Sequence, residues 1–139
     1  MIINCGQVLV DDQDKALRFY TEKLGFVKTL DVPDGTSGMR ALLVESPDGI
    51  PGVSLELMGT YTPSARAYQQ TFRAAGYAFT VLCTTDIQRE YQQLKERGVH
   101  FIGVPEDTGP VWTVKFDDTC GNLINLIQFK EVTLHEVNN

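Results

Sequence analysis

Two stretches of this chain are built on one plan, and that duplication constrains the fold more than any other feature. Ile2 to Val10 is an apolar, strand-like run ending at Asp11-Asp12, after which Ala16, Leu17, Phe19, Tyr20 and Leu24 recur at helical spacing until Gly25. The plan returns from Tyr77: an apolar run to Cys83, then Thr85-Asp86, a helix with Ile87, Tyr91 and Leu94 on one face, and a stop at Gly98. An offset of 74 residues lays Asp86 on Asp12, Phe79 on Cys5 and Leu94 on Tyr20, and brings Gly98 within one place of Gly25. Aspartate caps and glycine stops recur among helices for chemical reasons alone. Strands following both helices strengthen the case.

After the first helix come strand-like runs at Val27 to Val32, Met39 to Glu45 and Val53 to Met58, parted by the turns Pro33-Asp34-Gly35 and Pro47-Asp48-Gly49. After the second come Trp112 to Phe116 and Leu123 to Phe129, joined by a turn over residues 117–122. Thr62-Pro63 offers a cap with proline at the first helical position, so a polar connector helix can run to Ala75 before Gly76. The expectation is one α+β domain over residues 1–139. It comprises a βαβββ module over about 1–60, a connector over about 61–76, a second βαβββ module over about 77–130 and a polar tail over 131–139, its curved mixed sheets surrounding a pocket.

A chain of 139 residues can bury one proper core and leaves no room for a second domain. Its net charge of −6, spread along the chain, argues against nucleic acid, which needs clustered Lys and Arg, and favours neutral or cationic ligands. No run approaches the length of a membrane span, and Met1-Ile2-Ile3 enters a strand without a charged leader, so the expected location is the cytoplasm, away from membranes. Cys5, Cys83 and Cys120 lack the spacing of a disulfide framework or zinc knuckle and read as reduced thiols. Cys120, in a turn beside glycine with no histidine near it in the sequence, reads as tolerated rather than nucleophilic.

The segments Val10-Asp11-Asp12-Gln13-Asp14-Lys15-Ala16-Leu17-Arg18-Phe19-Tyr20, Leu24-Gly25-Phe26 and Gly121-Asn122-Leu123-Ile124 resemble the glyoxalase/bleomycin-resistance/dioxygenase (vicinal oxygen chelate) superfamily, in order and spacing over nearly the whole chain. That resemblance implies the fold. It does not choose the reaction, because the superfamily spans lyases, isomerases, dioxygenases, thiol transferases and metal-free drug-sequestering proteins.

The resemblance also implies where a divalent metal would sit: Cys5 and Glu56 in the first module, Phe79 and Asn125 in the second. Phe79 has no lone pair, Asn125 is a weak neutral donor and cannot accept a proton at neutral pH, and Cys5 replaces an imidazole. Only Glu56 is a standard ligand. His100 and His135 fall at no motif position and read as surface or edge residues. The expectation is no resident metal; a divalent ion, if any, would rest on Cys5 and Glu56.

Strand alternation puts Val8, Val10, Leu55 and Leu57 on the helix-covered side and Cys5, Gln7, Ser54, Glu56, Met58, Phe79 and Asn125 on the pocket side. Arg40 and Trp112 join them as candidates, and Tyr61 and Trp112 could stack on a ligand. Glu56 is the residue of choice. Among apolar neighbours its carboxylate must be paired, protonated or ligand-bound, so it either meets a ligand or is neutralised by Arg40. The leading functional reading is a small-molecule-binding protein of the sequestering kind, working as a homodimer and without catalysis. The alternative is an enzyme of lyase, isomerase or dioxygenase type using Glu56, with or without a metal.

Overall fold

The computed structural model describes residues 1–33 and 38–130. In chain order the elements are β1 (Cys5–Val10), α1 (Gln13–Arg18), β2 (Val27–Val32), β3 (Ala41–Glu45), β4 (Ser54–Gly59), α2 (Pro63–Ala74), β5 (Ala78–Cys83), α3 (Ile87–Glu96), β6 (His100–Asp107), β7 (Val111–Asp117) and β8 (Leu123–Phe129). They form two four-stranded sheets, ordered β1-β4-β3-β2 and β5-β8-β7-β6. In each, the first strand runs parallel to the last and the remaining pairs are antiparallel. This is the tandem βαβββ arrangement expected from the sequence, with α2 as the connector. The tail and part of the turn begun by Pro33 lie outside the described residues.

The caps explain where the helices start. Asp12 accepts a hydrogen bond from the Lys15 amide at 3.0 Å and Asp86 one from the Arg89 amide at 3.1 Å, the same cap at equivalent places. Thr62 caps α2 in the same way, ahead of Pro63. α1 widens into a π turn over Phe19–Lys23, where the Thr21 hydroxyl donates to Leu17 O at 2.6 Å and competes with the ladder. The duplication leaves one further mark: Lys23 Nζ donates to Arg97 O at 2.5 Å while Arg97 Nη1 donates to Lys23 O at 2.9 Å. Those residues are 74 apart. Equivalent helix ends therefore meet as they would about a local two-fold axis.

One hydrophobic core serves both modules. Val8, Val10, Leu42, Val44 and Leu57 from the first sheet and Val114, Phe116, Ile124 and Leu126 from the second are buried with Ala16, Phe19, Tyr20, Ile87 and Leu94 of the helical segments. Phe19 stacks near Phe116, with ring centroids 6.2 Å apart, so the first helical segment packs on a strand of the second module. Since alternate strand residues face opposite ways, each sheet is left with one helix-covered face and one bare face. No helix among the described residues is long and apolar enough to cross a membrane.

Candidate functional site

The bare face of the first sheet is built by register. Gln7 stands opposite Glu56 and Glu56 opposite Leu43; Cys5 and Glu45 flank Ser54; Leu9 is opposite Met58. Gln7 Nε2 donates to Glu56 Oε2 at 3.3 Å, and Ser54 Oγ donates to Glu45 Oε1 at 3.2 Å. Neither carboxylate has a cationic partner among the described residues. Around them Val27, Leu30 and Val32 of β2 are exposed apolar side chains. The alternation rule thus brings Cys5, Gln7, Ser54, Glu56 and Met58 to one face, as the sequence predicts, and adds Glu45, whose carboxylate on β3 was missed although its spacing from Leu43 could have signalled it.

On the second sheet the expectation holds for Asn125, whose side-chain oxygen accepts the Thr113 hydroxyl bond on the bare face. It fails for Phe79. Phe79 falls in the β5–β8 register shift between Ala78 and Thr80, while Val81 lies opposite Asn125 as Gln7 lies opposite Glu56. Phe79 instead joins rings with Tyr68 and Phe72 of α2, at centroid distances of 5.8 and 5.5 Å, and Tyr77 extends the cluster from Phe72.

Three other candidates also belong elsewhere. Arg40 does not neutralise Glu56: its Nε and Nη1 reach Asp31 at 2.8 Å and Asp14 at 2.6 Å, so it ties β2 to α1 on the covered side. This guanidinium holds the Asp31 carboxyl well below the usual carboxylate range. Tyr61 donates to Gln13 Oε1 and accepts from the Arg40 amide, again beside α1. Trp112 pairs in register with Gln128, whose side chain accepts from the Ile87 amide at the start of α3. The indole packs against the core beneath the Lys130 ammonium.

The four positions that the family resemblance assigns to a metal make a poor donor set. Phe79 offers no lone pair and is held in its ring cluster, and the Asn125 oxygen already accepts a hydrogen bond. The described residues contain no group of three or more His, Cys, Asp or Glu side chains gathered where a metal could be held. The thiols divide by environment. Cys5 and Cys83 are exposed, whereas Cys120 is fully buried and its pKa is pushed up to about 12 by burial and the neighbouring Asp118 carboxylate, which keeps it a protonated, inert thiol at neutral pH.

The modules are joined by a polar seam at the turn between β7 and β8. Asp118 is buried and accepts four hydrogen bonds, from the Tyr20 hydroxyl at 2.8 Å, the Cys120 and Asn122 amides at 2.8 and 3.0 Å, and Asn122 Nδ2 at 2.7 Å. Gln69 of α2 donates to Leu9 O, Cys120 O and Asn122 Oδ1, and Asn122 Nδ2 reaches Leu9 O. The seam therefore fixes β1 beside β8.

The seam contains the Gly121-Asn122 motif, and the comparison with known families agrees with it. The model of the Glyoxalase/Bleomycin resistance protein/Dioxygenase superfamily matches residues 2–126. The chain belongs to this superfamily. Within it, an uncharacterized protein of Bacillus subtilis (strain 168), YurT, is 46% identical over 128 residues, spanning 92% of this chain and 99% of the relative. Among solved structures of similar fold, UcmS2 aligns with a TM-score of 0.78 at 27% identity, covering 91% of this chain and 97% of that one. TnmS3, an antibiotic binding protein from Streptomyces sp. CB03234, aligns with a TM-score of 0.72 at 30% identity, covering 94% and 97%. Superfamily membership accounts for the tandem modules.

Proposed function

We propose that this chain binds and sequesters a small organic molecule on its bare sheet faces, without a resident metal, and that Glu56 supplies the counter-charge. The observation that carries the reading is Glu56 itself: a carboxylate on an otherwise largely apolar face, contacted by Gln7 and by no cation among the described residues. An apolar surface with a few convergent polar groups is the usual make-up of a site for a metabolite-sized or drug-sized ligand. The likeness to an antibiotic binding protein supports the same reading. A second copy of the chain, covering exposed Val27, Leu30, Val32, Val81 and Phe129, would close this open surface into a pocket, so the working form is a homodimer, and its reduced thiols suit the cytoplasm.

A free carboxylate could also accept a proton, and metal-free acid–base chemistry with Glu56 as base is the second reading. One variant separates them. Daunorubicin, a planar aromatic amine, serves as the probe, followed by its fluorescence in the presence of chelator. Saturable binding is expected, weakened about tenfold by Glu56→Gln through loss of a charge-assisted contact. Absence of binding, or unchanged affinity in the variant, would contradict the sequestering role of Glu56; turnover lost at unchanged affinity would establish it as a base.

A further inference from the structure

On the second sheet, away from Glu56, the strands part. β6 and β7 pair Ile102 with Lys115 and next Glu106 with Thr113, so three residues of β6 stand against Val114 alone. Gly103, at φ +84°, and Pro105 shape this excursion. Beneath it lies a recess of about 290 Å³ lined by Ile102, Val104, Glu106, Thr113, Val114 and Lys115. Its volume approaches the lower end of ligand pockets.

The charges in the recess are not balanced. Lys115 Nζ is drawn away, donating to Gly76 O at 2.7 Å, and Gly76 precedes β5, at the opposite edge of the sheet from β6. The lysine therefore contributes its methylene stem to the wall while its ammonium is tied elsewhere. The Glu106 side chain is exposed, with neither an ion pair nor a hydrogen bond among the described residues. What remains is an exposed carboxylate opposite Thr113 in register, on an open recess whose walls carry the part-exposed side chains of Ile102 and Val104.

We infer that this recess is a binding subsite for an alkylammonium group: the cation meets Glu106 and the attached carbon chain packs on Ile102 and Val104. As the seat of one substituent of the sequestered molecule it rests on the proposed binding function, and it makes that molecule an amine. A carboxylate prefers such a cation to a neutral group of the same shape, because the charge-assisted hydrogen bond is the stronger contact.

The test uses a fragment, so that it does not depend on the sequestration reading. The ¹H–¹⁵N spectrum of the full chain is followed during titration with n-hexylammonium chloride and, separately, n-hexanol. Hexylammonium should shift the amides of residues 102–106 and 113–115, with hexanol about tenfold weaker, and Glu106→Gln should erase that preference while leaving the rest of the spectrum in place. Val104→Trp, which fills the recess, should abolish both responses. Equal response to the two fragments, shifts centred elsewhere, or a preference retained in Glu106→Gln would overturn the subsite. Hexylammonium seated here with no daunorubicin binding would remove the sequestration reading and leave the subsite standing.

Discussion

Replacing Asp118 by alanine is expected to cost about 3–5 kcal/mol of stability, because it strands several buried hydrogen-bond donors at once. The Tyr20 hydroxyl, two backbone amides and Asn122 Nδ2 all converge on this carboxylate, and each unsatisfied buried donor carries its own desolvation cost. Urea denaturation should show a lower midpoint, and Tyr20→Phe, which removes one donor and leaves the carboxylate otherwise satisfied, should lose only about 1 kcal/mol. The ionisation of Asp118 runs in the opposite sense from that of a salt-bridged acid. Burial raises its pKa despite the hydrogen bonds. Its titration therefore contributes stability below the unfolded-state pKa, and that contribution is lost as pH rises through the folded value. Equal midpoints for wild type and Asp118→Ala would mean that the seam does not hold the modules together.

Gly121→Ala should cost about 2–4 kcal/mol for two separate reasons. The residue sits at φ +99°, where a Cβ is strained, and a Cβ there would lie 2.7 Å from the Gln69 side chain. Gln69 cannot swing aside freely. It is 5% exposed, and its amide holds Leu9 O, Cys120 O and Asn122 Oδ1. Thermal unfolding of Gly121→Ala, Gln69→Ala and the double variant should show the double variant destabilised by less than the two single costs added, since removing the Gln69 side chain relieves the clash. Strict additivity would leave backbone strain as the whole effect.

These two residues also show how legible the chain is. The Gly121-Asn122 pair could be recognised as a motif, yet its physical reason, a close approach to the connector helix and a bond back to β1, depends on contacts across 53 and 113 residues. Local signals fared better. Asp12, Thr62 and Asp86 are caps whose bonds reach only three residues ahead, so the helix starts could be read directly. Alternation placed Gln7, Glu56 and Asn125 correctly wherever the pairing was regular. It misplaced Phe79 because an irregularity between Ala78 and Thr80 breaks the period, and a similar excursion in β6 concealed the recess at Glu106.

Arg40 and Trp112 were misassigned for another reason. Residue type suggested a ligand role, but both stand on the helix-covered side, where Asp14 and Asp31 claim the guanidinium and the core claims the indole. Long side chains choose partners in three dimensions, and a period of two says only which face they leave from. Glu56 stood out in the sequence because a carboxylate between Leu55 and Leu57 needs a partner or a ligand.

The claim that this face works without a metal is tested most directly by calorimetric titration of the chelator-treated protein with zinc, nickel, manganese and anaerobic ferrous ion, repeated on Glu56→Gln. The donor set at Cys5, Glu56, Phe79 and Asn125 predicts no stoichiometric uptake of any of the four ions. Tight binding of one ion per chain that disappears in Glu56→Gln would contradict the account and make Glu56 a metal ligand.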